Sequence, residues 1–279
     1  MNGNRNEALH RAVNKHRVLI AAHKGTFGGN IIQNTIPAFE TALLCGAQII
    51  EVDAAKSTDG IYYAFHTGQE PGLIGTSKRL DAMSSREIET YRLINSNQCV
   101  AEERVNRLDD VLEHFRNRCL INIDRGFFYL EDTLKLIKRH RMEEQIIFKC
   151  EAKERWLRTL ETEGSDIMFM PIIKGPEELA LAKRYRINLI GAETLFDTEA
   201  DALLEKPFIE QCHRENLLLW VNAITLNAES ILSAGHDDNS AILHSMDYGW
   251  GWLIDRGFDI IQTDWPFLCS QYIKGRSVS

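Results

Sequence analysis

Two carboxylates, Glu51 and Asp53, are separated by one residue within 47–54, a run that otherwise reads as a buried strand. Alternation along a strand puts both on one face and Ile50 and Val52 on the other. Adjacent like charges are costly there unless a cation or a proton relieves them, so the pair points to a hard metal ion. His23 closes the apolar run 18–22, and His66 closes the run 61–65. Oxygen ligands for a metal, flanked by two imidazoles, can polarise a substrate oxygen while protons move on either side of it. The plain alternative is an ion-pair cluster of Glu51 and Asp53 with Lys24 and Lys149, because structural networks also use such residues.

These side chains need elements to hold them, and the chain repeats one unit: a short β-rich run, a polar residue at its end, then a helical pattern. The strand candidates are 18–23, 48–54, 119–125, 145–151, 167–174, 187–193, 217–222 and 258–264. Helical spacing of apolar residues marks 36–45, 85–94 with 108–117, 131–140, 153–163, 176–185, 201–215 and 243–256. Eight strands alternating with helices predict a parallel (β/α)8 TIM barrel, an α/β fold with its chemistry at the C-terminal strand ends. The polar residues at those ends are His23, Asp53, Asp124, Glu151, Lys174, Glu193, Asn222 and Asp264. The run 61–66 follows too short a turn for a helix and predicts an antiparallel extension that folds His66 over the barrel mouth. No linker divides the chain, so a single domain is expected over 1–279, with its core at about 17–270. Segments 67–78 and 223–240 read as loops covering the site.

Composition narrows the partners. The sequence has 279 residues, 44% hydrophobic, and a formal net charge of -8. It carries no clustered Lys/Arg stripe, which argues against nucleic acid as a partner, while a small anionic substrate remains compatible with a locally basic site. The six cysteines form no Cys-x-x-Cys pair, so neither a zinc site nor a disulfide framework is expected, and a cytoplasmic location is the natural expectation. No apolar run approaches the roughly 18 residues that span a bilayer, so no membrane anchor is expected. Oligomeric state is not legible.

The motifs, taken in order, resemble a known family. His23-Lys24-Gly25, Gln33-Asn34-Thr35, Gly46-Ala47, Glu51-x-Asp53, Ser57-x-Asp59-Gly60 and His66 are similar to the N-terminal signature of the glycerophosphodiester phosphodiesterases. Leu108-Asp109-Asp110-Val111-Leu112, Ile121-Asn122-Ile123-Asp124, Leu219-Trp220-Val221-Asn222 and Gly257 through Pro266 resemble its later segments. The resemblance spans about 250 residues, the size of one barrel. It implies a metal-dependent phosphoric diester hydrolase in which Glu51, Asp53 and Asp124 hold one divalent cation, Mg2+ or Ca2+, with His23 and His66 as the acid/base pair. Lys24, Asn34, Lys149, Glu193, Trp220 and Asn222 are the candidates for holding a small phosphodiester substrate.

Departures from the family pattern mark a divergent member. Its Arg is Lys24, its Glu is Gln33, its His-Asp is His66-Thr67, and its third carboxylate is the shorter Asp124. The basic residue expected two positions after that carboxylate is missing, and Lys149 or Arg125 could supply the charge. Three functions follow as expectations. The first is hydrolysis of glycerophosphodiesters or related headgroup diesters. The second is phospholipase D-like cleavage or cyclisation of lysophospholipid or sphingolipid diesters, favoured by an apolar rim from Trp250, Trp252, Phe127, Phe128 and Tyr129. The third is a catalytically weak barrel that binds a phosphorylated ligand.

Overall fold

The computed structural model describes residues 5–227 and 229–276. Its strands are β1 (Leu19–Ala22), β2 (Ile49–Lys56), β3 (Tyr62–Ala64), β4 (Leu120–Asp124), β5 (Ile146–Glu151), β6 (Met168–Ile173), β7 (Asn188–Leu189), β8 (Gly191–Thr194), β9 (Leu218–Asn222) and β10 (Ile260–Thr263). The parallel order is β1-β10-β9-β8-β6-β5-β4-β2, and β1 pairs β2 to close the barrel. The fold is thus the single (β/α)8 barrel that the alternation predicts. Strand β3 pairs antiparallel with β2, Ala54 opposite Ala64, and carries the chain to His66 as expected.

Alternation sorts each strand between two cores. Ile50, Val52, Ala54, Ile121, Ile123 and Phe148 face the outer helices, packed with Phe39, Leu112 and Leu134. Leu19, Ile49, Leu120, Ile147, Met168, Trp220 and Ile260 form an apolar layer inside the barrel. By the same period, Glu51 and Asp53 stand above Ile49, Lys149 above Ile147, and Asn222 above Trp220. Apolar residues fill the lower interior, and polar ones fill the end where substrates would enter.

Several expected elements differ. An unanticipated helix, α1 (Glu7–Lys15), plugs the lower end: Leu9 joins the interior layer, and Asn6 and Asn188 exchange paired side-chain hydrogen bonds. The expected strand 187–193 is two pieces, because Met170 and Pro171 of β6 face Ile190, Gly191 and Ala192 and the extra residue makes a bulge. A Cβ on Gly191 would lie 2.1 Å from the Leu218 carbonyl oxygen, so only glycine admits β9 there. The helix expected over 85–94 ends at Ile88, since Leu93 turns its backbone to Glu103 and Ala101. The helix expected over 243–256 starts earlier, at Asp238, where Asp237 and Ser240 form a capping box. It is interrupted by a wide turn at Asp247–Gly251 before Trp252–Arg256. No helix of the described residues is long and apolar enough to cross a membrane.

If α1 belongs to the core, Leu9→Ala removes a buried side chain from the interior layer, and unfolding in urea should show a loss of about 2–4 kcal/mol. An unchanged midpoint would mean that the barrel closes without it.

Candidate active site

The carboxylates meet because of strand register. Asp53 of β2 sits opposite Asp124 of β4, and Glu51 projects from the same face of β2 as Asp53. One oxygen from each of Glu51, Asp53 and Asp124 lies within 4.8 Å of the others. Glu51 and Asp53 are each only 1% exposed. Burial, and then the Asp53 charge, push the Glu51 carboxyl up to about 8. Burial and the same neighbour also raise Asp124.

The turn after β1 supplies the nearest compensation. Lys24 and Gly25 both have positive φ, and a Cβ on Gly25 would lie 2.7 Å from the Ala38 carbonyl carbon. This tight turn aims the Lys24 backbone N–H at Glu51 Oε2, 2.6 Å away, and brings Lys24 Nζ to 3.8 Å from Asp53 Oδ2. Asn34 is fully committed to Asp53: its Nδ2 donates to Asp53 Oδ2 at 2.8 Å, and its Oδ1 accepts from the Asp53 N–H at 3.0 Å. Both polar atoms of its amide are thus bonded to Asp53 and hold that carboxylate in place. Asp53 Oδ1 is buried with no hydrogen-bond partner.

Three carboxylates against one nearby lysine are not neutralised by ion pairing, because Lys149 is engaged elsewhere. Oxygen-only donors, crowding, and an orphaned buried oxygen fit a hard divalent cation.

The two histidines occupy opposite electrostatic settings. His23 Nδ1–H donates to Asp264 Oδ1 at 2.8 Å. Burial alone would lower its pKa, but the Asp264 hydrogen bond and the Glu51 charge outweigh that and hold it above the ordinary value. Asp264 is fixed in turn by Asp238, which accepts its backbone N–H as well as Thr263 Oγ1–H and Trp250 Nε1–H. His66 lies across the mouth at the end of β3. Burial lowers its pKa, and the Lys24 and Arg125 charges add to this against the pull of Asp53. Arg125 Nη1 donates to His66 Nε2 at 3.2 Å and Nη2 donates to Thr67 Oγ1 at 3.0 Å.

The other expected substrate contacts form the far wall. Lys149 Nζ is 2.6 Å from Glu193 Oε2, donates to Gln262 Oε1 at 3.3 Å, and stands 3.9 Å above the Trp220 ring. Asn222 Nδ2 donates to Glu193 Oε1 at 2.6 Å. Trp220 is fully buried and donates to Gln262, so it is the floor beneath Lys149. Glu151, the polar residue at the end of β5, is exposed and pairs with Lys153. Of the two charges considered as replacements, Arg125 is the one beside His66.

The expected Trp250–Trp252 rim is absent. Trp250 is buried on Asp238, and Trp252 stacks on His236 with ring centroids 3.8 Å apart. An apolar groove of about 380 Å³ lies elsewhere on the rim, with Phe27, Ile31, Ile32, Leu73 and Ile94 among its walls. Gln33 and Gly68, next in sequence to Asn34 and Thr67, also line it. A larger cleft of about 1040 Å³ opens at the opposite end of the barrel, around α1, remote from the carboxylates.

The partners that sequence reading missed are Asp264 for His23, Asp238 behind Asp264, and Gln262 in the wall with Lys149. The available signal was barrel closure, which makes the ends of the first and last strands neighbours.

Comparison with known proteins agrees on architecture. A family model, DUF4996, described as a domain of unknown function, matches residues 169–273. No curated protein sequence matches the chain. A glycerophosphoryl diester phosphodiesterase structure from Parabacteroides distasonis superposes with a TM-score of 0.78 at 16% identity, covering 96% of this chain and 92% of that one. A glycerophosphodiester phosphodiesterase from Agrobacterium tumefaciens gives 0.64 at 21% identity, covering 91% and 99%. An Oleispira antarctica phosphodiesterase, solved in complex with the product sn-glycerol-3-phosphate, gives 0.65 at 14% identity, covering 94% and 97%. The chain therefore has the fold of these phosphodiesterase barrels over nearly its whole length.

The crowded carboxylates predict a signature in stability. Without divalent cation, Glu51 keeps its proton in the folded chain up to about 8, while the unfolded side chain releases it near 4.5. The folded state then holds the extra proton, so unfolding free energy should fall as pH rises through that window, with a slope approaching about 1.4 kcal/mol per pH unit. Chelated protein melted across this range should show the decline, and Glu51→Gln or added Mg2+ should flatten it. A flat profile for chelated wild type would mean that the three carboxylates do not strain the fold.

Proposed function

We propose that the chain is a metal-dependent phosphoric diester hydrolase acting on glycerophosphodiesters or related headgroup diesters. The observation that carries this reading is the joint one: three clustered carboxylates, two of them buried, share a site with two imidazoles whose surroundings push their proton affinities apart. Pairs of titratable groups driven in opposite directions are the usual mark of an acid and a base in one site. The superposed phosphodiesterase barrels support the same class of reaction.

In this reading Glu51, Asp53 and Asp124 hold Mg2+ or Ca2+. Such a cation supplies Lewis-acid stabilisation of charge on a phosphoryl oxygen. The chain does the rest. Lys24, anchored beside Asp53, offers a point charge to the phosphate. His66, disfavoured as a cation, is the base and takes the proton of the attacking hydroxyl at Nε2. His23, kept charged by Asp264, is the acid and gives its proton to the leaving alkoxide. After the P–O bond to the alcohol breaks, His23 is neutral and His66 charged, and exchange with water resets both. The six free cysteines suit a reducing compartment, and we place the protein in the cytoplasm.

His23→Ala and His66→Ala should each lower kcat by about 10² to 10⁴-fold on an unactivated diester. Circular dichroism should remain unchanged. Exhaustive chelation should abolish turnover, and Mg2+ or Ca2+ should restore it. Hydrolysis of bis(p-nitrophenyl) phosphate by metal-free protein, or by His66→Ala at the wild-type rate, would defeat the mechanism.

The groove beside Gln33 and Gly68 favours a second reading, in which a chain-bearing diester such as a lysophospholipid is cleaved or cyclised. None of its lining residues is ionisable, which suits hydrocarbon better than a second charged headgroup. With 31P NMR, lysophosphatidylcholine and glycerophosphocholine can be compared directly. Faster conversion of the former, or a cyclic phosphate signal, would favour the second reading, and a preference for the latter would exclude it.

A further inference from the structure

Among the described residues, Arg125 is the strongly basic side chain at this site whose charge is not paired with a carboxylate. It follows Asp124 with a φ of 60°, a left-handed turn that throws the guanidinium back across the mouth towards the end of β3. There it rests on two neutral acceptors, His66 Nε2 at 3.2 Å and Thr67 Oγ1 at 3.0 Å. Its Cζ lies 5.1 Å from the centre of the Phe128 ring. Its Nε is buried with no acceptor at all. Among the described residues no carboxylate comes within ion-pair distance of it, although three stand in the same site.

A guanidinium makes its strongest hydrogen bonds to carboxylates and phosphates, bidentately, and is weakly held by neutral groups. Here two N–H groups have substitutable partners, and a third has none. The contact with His66 has a further consequence. Nε2 accepts from Arg125, so its lone pair is occupied and cannot receive a proton while the guanidinium stays.

We propose that Arg125 is a phosphoryl-binding residue that rests on His66 and Thr67 and moves onto the phosphoryl oxygens of an arriving diester, thereby uncovering His66 Nε2. This deepens the diesterase reading and rests on it. Substrate binding and exposure of the base become one event. No covalent bond changes, and the guanidinium stays protonated throughout. Thr67 acquires a role as well: a hydroxyl holds the arginine loosely enough to let it go. A carboxylate at position 67, as in the His-Asp pattern that the sequence otherwise approaches, would trap it in an ion pair.

The test uses inorganic phosphate as probe, titrated calorimetrically into protein kept in Mg2+. Arg125→Met should weaken phosphate binding about tenfold or more, as expected for loss of a charge-assisted bidentate contact, and Arg125→Lys should recover part of it. Thr67→Asp should weaken binding to a similar degree, even though it brings the chain closer to the family pattern. Because that effect acts through the arginine, Thr67→Asp combined with Arg125→Met should bind phosphate no more weakly than Arg125→Met alone. In turnover, Arg125→Met should raise KM more than it lowers kcat, since His66 is then permanently uncovered. Wild-type phosphate affinity in Arg125→Met would overturn the proposal. So would tighter binding by Thr67→Asp, or losses that multiply in the double variant. If wild type turns over no diester, the reading of function fails, while the phosphate titrations still decide the place of Arg125.

Discussion

The crowding of Glu51, Asp53 and Asp124 in the mouth of a barrel is the constraint on which the rest of the site depends. Carboxylates this close, in surroundings that exclude water, destabilise the fold unless a cation or a proton offsets their charge. The structure accepts that cost and organises its neighbours around it. The turn at Lys24 and Gly25 aims a backbone N–H at Glu51. Both polar atoms of the Asn34 amide bond to Asp53. One oxygen of Asp53 is still left without a partner. Such an arrangement makes sense where part of the satisfying charge comes from outside the chain.

The asymmetry between the histidines follows from what stands behind each. His23 is backed by Asp264, whose backbone N–H donates to Asp238, and Asp238 is held in turn by Thr263 and Trp250. His66 is backed by a guanidinium, which the Thr67 hydroxyl holds in turn. The same imidazole therefore meets negative charge on one side of the mouth and positive charge on the other. Two chemically identical side chains acquire proton affinities shifted in opposite directions through their neighbours alone.

Stability and function are layered along the barrel axis. The lower interior is apolar and closed by α1, where Leu9 packs against the strands. Above it, Lys149, Glu193, Asn222 and Gln262 form a buried polar wall in which each charge or amide has a partner. That wall rigidifies the side opposite the carboxylates, because an ion pair in the interior is tolerable only when its remaining donors and acceptors are satisfied.

The barrel was legible in the sequence because strand and helix periods are local properties. Eight apolar runs, each ending in a polar residue, suffice to predict it, and the period of two places Glu51 and Asp53 together. Boundaries were less legible where tertiary contacts override local preference. Leu93 leaves its helical pattern for backbone partners at Glu103 and Ala101, and the bulge opposite Pro171 splits a strand that reads as continuous. The expected core of about 17–270 left Leu9 outside it, and only packing against the barrel floor made Leu9 part of the core. The chemistry-bearing residues announced themselves by type, but their partners did not. Asp264 is 241 positions from His23 and becomes its neighbour only when the barrel closes. Lys149 pairs with Glu193, distant in sequence, and not with Glu151 two residues on, because the strand end turns Glu151 to solvent. Sequence by itself determined which groups could do chemistry and which face of a strand they share, since both depend on residue identity and a fixed backbone period. Which charge stands behind each histidine was decided only by closure of the barrel, because electrostatic partners are chosen by distance in space.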